Sequence, residues 1–198
     1  ACLVGSEMCI RDSTTTYSID AMGRVTGITE PDGTKLSYTY DGAGNRSGIT
    51  TPAGATSYQY DADNRLIQVT DPAGRVTSYA YDSRGNLTQR ALPDGITTLY
   101  AYDELNRLVA LTVTRNGVAL LLQDLYTLDA AGQRTSVQET DQNGLVTTST
   151  YSYDADGRLT QELQQQGSTT LVDTRYSYDA AGNRVTRTDA NGTVTSTY

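Results

Sequence analysis

Tyr38-Thr39-Tyr40-Asp41-Gly42-Ala43-Gly44 is the stretch that decides the fold. Its Tyr-x-Tyr-Asp core returns as Tyr58-Gln59-Tyr60-Asp61, Tyr79-Ala80-Tyr81-Asp82, Tyr100-Ala101-Tyr102-Asp103, Tyr151-Ser152-Tyr153-Asp154 and Tyr176-Ser177-Tyr178-Asp179. Two further copies carry an aliphatic residue in place of the second Tyr: Tyr17-Ser18-Ile19-Asp20 and Tyr126-Thr127-Leu128-Asp129. Tyr198 stands where a ninth copy begins. Successive first tyrosines are 21, 20, 21, 21, 26, 25, 25 and 22 residues apart. Self-similarity at a near-fixed period marks a repeat architecture. The chain has 15 Tyr, no Phe and no Trp, so every aromatic side chain is a repeat position.

Outward from the motif, the turns are regular. Three residues after each motif Asp stands Gly23, Gly44, Asn64, Gly85, Asn106, Gly132, Gly157 or Gly182. Gly and Asn are the residues that tolerate a positive φ. Asp first and Gly or Asn fourth predicts a type I turn closed by a left-handed residue, a common hairpin connection. The Asp carboxylate is placed to accept from the turn amides. About ten residues on, a second turn is predicted to end at Gly33, Gly54, Gly74, Gly95, Gly117, Gly144, Gly167 or Gly192. Pro31, Pro52, Pro72 and Pro93 each stand two residues before such a Gly, where a φ near −65° suits the turn.

Each unit therefore reads strand, turn, strand, turn. The segments between turns are rich in Thr, Val and Tyr, as in Arg75-Val76-Thr77-Ser78-Tyr79-Ala80-Tyr81, which suits strands. In Tyr-x-Tyr both rings fall on one face, because side chains alternate with period two. Eight units predict an all-β antiparallel meander of about sixteen short strands, about 75 Å across at one inter-strand spacing per strand. Open twisted sheets of more than about ten strands curl or split, so a coiling, spiral sheet is expected. Units 5 to 7 are longer by four or five residues, an excess assigned mostly to the second strand. The apolar run Val118–Leu125 takes the place of a second strand and is read as strand rather than helix.

Composition narrows the chemistry. With 198 residues, no His and a net charge of −8, the chain has no Ser-His-Asp or Cys-His pair and no imidazole ligand. An acidic chain with scattered Arg lacks the basic footprint that binds a nucleic-acid backbone. No apolar run has the length of a membrane-spanning helix. Asp61 with Asp63, and Asp154 with Asp156, are carboxylate pairs close enough to perturb each other's ionisation. Other units carry Ala43, Arg84 or Ala181 at the second position, which reads as a solvated turn site rather than a catalytic one. The spacing matches neither an EF-hand loop nor a nonapeptide calcium repeat. No enzyme, cofactor or metal is expected.

Residues 1–16 stand outside the repeat, which is assigned to 17–198. They hold Cys2 and Cys9, a weak metal or disulfide signal. The segment lacks the basic start and apolar core of a signal peptide. Residues 1–13 resemble translated sequencing-adapter read-through, which makes an artefact of gene prediction the expectation and an ordinary linker the alternative. With no initiator Met and a last unit that stops at Tyr198, the sequence is expected to be part of a longer gene.

Tyr178-Asp179-Ala180-Ala181-Gly182-Asn183-Arg184 and Tyr153-Asp154-Ala155-Asp156-Gly157-Arg158-Leu159 resemble the YD repeats of the Rhs family, and the resemblance spans residues 17–198. It implies a large secreted or surface-exposed bacterial protein whose repeats form a spiralling β-sheet closed into a hollow shell, as in toxin-complex subunits and the animal teneurins. In the toxins such a shell encloses a C-terminal effector, released by self-cleavage. No cleavage motif and no catalytic residue carry over. The implied partners are the remaining repeats and effector of the same polypeptide. The alternative is a carbohydrate-binding or adhesive surface module, with exposed tyrosines stacking on glycans. Against that, tyrosines packing on one another across strands would need no ligand.

Overall fold

The computed structural model describes residues 14–196, so Cys2, Cys9 and Tyr198 lie outside the described residues. The chain divides after Thr77 into two compact units. In the first, β1 (Thr16–Ile19), β2 (Val25–Thr29), β3 (Lys35–Tyr40), β4 (Arg46–Thr51), β5 (Gly54–Tyr60) and β6 (Leu66–Thr70) each pair antiparallel with the next. The strand β7 (Val76–Tyr81) starts in the first unit and ends in the second. The second continues with β8 (Leu87–Ala91), β9 (Ile96–Tyr102), β10 (Leu108–Arg115), β11 (Ala119–Leu128), β12 (Arg134–Asp141) and β13 (Val146–Tyr153). It closes with β14 (Leu159–Gln166), β15 (Thr169–Tyr178), β16 (Arg184–Asp189) and β17 (Gly192–Thr195). From β7 onward the pairing is again sequential and antiparallel. The fold is all-β; the described residues contain no helix. The seventeen strands are the expected sixteen plus β1, the strand that carries Tyr17.

All eight motif turns close on a residue of positive φ, from 60° at Asn64 and Asn106 to 93° at Gly44. Their amides donate back to the motif Asp carbonyl, as in Gly44 N–H to Asp41 O at 3.1 Å. The second turns are less uniform than the sequence implies. Gly33, Gly74, Gly95 and Gly144 are fourth turn residues, each donating to the first. Gly54 and Gly192 instead belong to the ladder, opposite Thr51 and Asp189 across two-residue loops. Gly167 opens the loop between Gln166 and Thr169. Where spacing between strands changes, the same glycine serves a different turn geometry.

The extra residues of units 5 to 7 are shared between both strands, not concentrated in the second: β10, β12, β13 and β14 have 8 residues, and β11 and β15 have 10. An antiparallel ladder requires this, since residues added to one strand need partners on its neighbour. The run Val118–Leu125 is strand from Ala119 onward, with Val118 in the turn.

Every motif hairpin also contains a β-bulge in the same place. Thr39 faces Gly48 but Tyr40 faces Arg46, so Ser47 is skipped. The same slip beside the second motif position skips Thr26, Ile67, Thr88, Val109, Thr135, Thr160 and Val185. A bulge bends its strand and increases local right-handed twist.

The described residues contain no buried hydrophobic side chain. In β3 and β5 exposed and half-buried positions alternate, and the tyrosines are the half-buried ones. Among the described residues the three buried ones are Thr98, Ser149 and Thr174, each two before a first-position Tyr and so on the tyrosine face. The opposite face is Ser, Thr and Gln, as at Ser37, Thr39, Ser57 and Gln59. These are sheets with a preferred face, not sheets around a core.

Candidate functional site

The repeated feature with the richest chemistry is the motif turn. Asp61 shows its construction. One carboxylate oxygen accepts from the amides of Asp63 and Arg65, both at 2.9 Å, and the other from Arg65 Nε at 2.7 Å. Asp20, Asp103 and Asp154 repeat it with Arg24, Arg107 and Arg158. Asp41, Asp82 and Asp179 repeat it with Asn45, Asn86 and Asn183. These donors stabilise the anion. The Arg amide four residues on is the largest influence holding Asp20, Asp61, Asp103 and Asp154 below the ordinary carboxylate range. For Asp41, Asp82 and Asp179 it is the Asn side chain.

The side chain four residues after Asp also reaches the next motif turn within its unit. Asn45 Nδ2 donates to Asn64 Oδ1 at 2.7 Å, and Asn86 Nδ2 to Asn106 Oδ1 at 3.0 Å. Arg107 donates to the Asp129 carbonyl at 2.8 Å, Gln133 to the Gly157 carbonyl at 2.8 Å, and Arg158 to the Asp179 carbonyl at 3.3 Å. The turns are thereby laced edge to edge. The sequence carries the signal: the eight positions are Arg, Asn or Gln, all of them polar side chains with an N–H to donate.

The second tyrosine has its own task. The β2–β3 ladder stops at Gly27 opposite Ser37, and three residues beyond it Tyr40 donates its hydroxyl to the Val25 carbonyl at 2.7 Å. Tyr60, Tyr102, Tyr153 and Tyr178 do the same to Arg46, Leu87, Arg134 and Leu159, at 2.8–3.1 Å. The phenol thus takes over where backbone pairing ends. Arginines stack against the rings: Arg24 lies 4.4 Å from the Tyr40 centroid, Arg134 4.4 Å from Tyr126, and Arg158 5.1 Å from Tyr178. Tyr126, facing Asp124 at 2.8 Å, is pushed up to about 12 by burial and by that carboxylate.

The two carboxylate pairs are each bridged by an arginine. Arg65 meets Asp61 at 2.7 Å and Asp63 at 3.3 Å; Arg158 meets Asp154 at 2.7 Å and Asp156 at 2.9 Å. Asp61 and Asp154 are lowered rather than raised, which is the reverse of a proton-sharing dyad. Asp63 and Asp156 are more than 70% exposed at 73% and 72%. Among the described residues no three acidic or thiol groups converge on a metal position.

The structure is similar to TcdB2-TccC3-TEV, with a TM-score of 0.61 at 18% identity over 89% of this chain. It is also similar to TcdB2-TccC3-Cdc42, with a TM-score of 0.57, 19% identity and 88% coverage. TcdB2-TccC3 without its hypervariable C-terminal region gives 0.57, 20% and 93%. The chain spans only 11–12% of the length of those proteins. No curated protein sequence matches it. The sequence pattern of the RHS Repeat matches residues 20–56, 60–97, 81–119, 129–169 and 153–194, well over half the chain. With its repeats in register from Asp20 onward, the chain belongs to the RHS repeat family.

Proposed function

We propose that this chain is a structural wall segment of a secreted or surface-exposed bacterial RHS protein whose shell encloses a C-terminal toxin or effector. The observation that carries the proposal is the repetition of one self-contained turn, laced to the next, in sheets whose described residues bury no apolar side chain. Eight copies of one chemistry give a uniform surface rather than a unique site, which suits a non-catalytic scaffold. The repeat-defining residues Tyr38 to Gly182 are, in this reading, structural. The fold likeness to TcdB2-TccC3, one form of which lacks a hypervariable C-terminal region, is consistent with a same-chain cargo.

The test is protease protection in the full-length polypeptide that contains this chain. The C-terminal region is expected to resist digestion until a hairpin pair, for example residues 129–153, is deleted. Equal digestion with and without the deletion would defeat the enclosure reading. Glycan binding lost on substituting first-position tyrosines, with no protection of a C-terminal region, would instead support the adhesive module.

A further inference from the structure

Three Asn-Gly dipeptides occur in the chain, Asn116-Gly117, Asn143-Gly144 and Asn191-Gly192, and all three asparagines are exposed. Their backbone surroundings differ. The Gly144 amide donates to the Asp141 carbonyl at 3.0 Å, and Asn143 is held by the Asp141 carboxylate through its own amide at 2.8 Å and its side chain at 3.2 Å. Gly192 is the first residue of β17 and faces Asp189 in the ladder. At the tip between β10 and β11, the closing bond instead runs from the Val118 amide to the Arg115 carbonyl, at 3.2 Å. Gly117 lies inside that turn, and its amide has no hydrogen-bond partner among the described residues.

We propose that Asn116 is a site of spontaneous covalent modification, converting to aspartate and isoaspartate ahead of the other two. The Gly117 backbone nitrogen attacks the Asn116 side-chain carbonyl carbon. A carbon–nitrogen bond forms, the carbon–amide bond breaks, and ammonia leaves with the proton the Gly117 nitrogen gives up. Water then opens the five-membered imide at either carbonyl. Attack needs an amide free to lose its proton. A carbonyl-bonded amide must first be released, and a net backbone hydrogen bond slows that release by about two- to tenfold.

The consequence is local and specific. Asn116 N–H donates to the Gly95 carbonyl at 2.7 Å, and its side-chain oxygen lies over Gly95 where a Cβ would stand. Isoaspartate lengthens the main chain at this point and places a carboxylate against that turn, so the contact between the two turns is lost.

The intact 198-residue chain, incubated at mildly alkaline pH, would be sampled by peptide mapping with isoaspartate-specific methyl transfer. Asn116 is expected to be modified about two- to tenfold faster than Asn143 and Asn191 in the folded chain. In guanidinium, where all three amides are free, the rates should converge. Asn116→Gln should remove the fastest site, and Asp141→Ala should speed Asn143 alone. Equal rates in the folded chain, or Asn143 leading, would overturn the proposal. So would an Asn116 lead that persists undiminished in guanidinium, because the cause would then be sequence and not fold.

Discussion

Replacing Tyr178 by Phe removes one oxygen and leaves the ring. That oxygen donates to the Leu159 carbonyl at 2.8 Å, three residues past the last ladder pair, Gln161 with Arg175. The first tyrosine of the same motif is the internal control. Tyr176 keeps its ring against Arg184, 5.7 Å from the centroid, and its hydroxyl has no bond among the described residues. A net hydrogen bond of this kind contributes about 1 kcal/mol. Tyr178→Phe is thus expected to cost about 1 kcal/mol, a fall of about 2–4 °C in Tm for a chain of this size. Tyr176→Phe should change it by less than about 0.3 kcal/mol, within the scatter of surface substitutions. The five hydroxyls of Tyr40, Tyr60, Tyr102, Tyr153 and Tyr178 donate to five different carbonyls and share no partner, so replacing all five should cost about 5 kcal/mol. Leu128 gives the converse, since Leu128→Tyr supplies the missing phenol. Because repeat arrays can unfold in parts, amide exchange at each strand should accompany the melts. If Tyr176→Phe costs as much as Tyr178→Phe, or if exchange changes everywhere equally, the ladder-end account of the second tyrosine is wrong.

Gly182 has a φ of 87°, and a Cβ there would make only an ordinary contact with Arg158 Nη1 at 3.8 Å, so Gly182→Ala should cost about 1–2 kcal/mol of backbone strain in a denaturant titration. Gly182→Asn should cost clearly less, because Asn64 and Asn106 hold the same position at 60°; equal costs would refute the left-handed closure. Seven motif carboxylates lie below their ordinary 3.8 in the folded chain, so their contribution is complete above that unfolded value and fades as pH falls through the lowered ones. Stability should therefore be level from about pH 7 to about 5 and fall below about pH 4, with no step near neutrality in a chain without His; a transition centred above about pH 5 would contradict this. In an ultraviolet titration Tyr126 should ionise at about 12 and move down in Asp124→Asn, and an unchanged curve would dismiss that carboxylate as a cause.

The hairpin grammar was legible because it rests on backbone rules. Asp, then Gly or Asn three residues later, admits few conformations, and the eight positive φ values follow from it. The tyrosine face followed from period-two alternation. The bulges were not legible, since the skipped residues range over Thr, Ser, Ile and Val and carry no turn chemistry. The second turns misled for a related reason. Glycine marks a permitted φ but does not say whether the loop has two residues or four, which the neighbouring strands decide. The arginine bridging Asp61 and Asp63 lies in plain sight at 65, yet pairing acid with acid by proximity overlooked the cation four residues on.

The lacing of one motif turn to the next has a consequence for how such genes change length. Every bond that shapes the turn lies within five residues, and the side chain that leaves it meets only its immediate successor. A whole unit gained or lost by recombination therefore presents each survivor with a neighbour of the same chemistry. Spacing within a unit can drift from 20 to 26 residues without disturbing that junction. The array behaves as countable, exchangeable pieces, so its span is open to selection in steps of one hairpin pair.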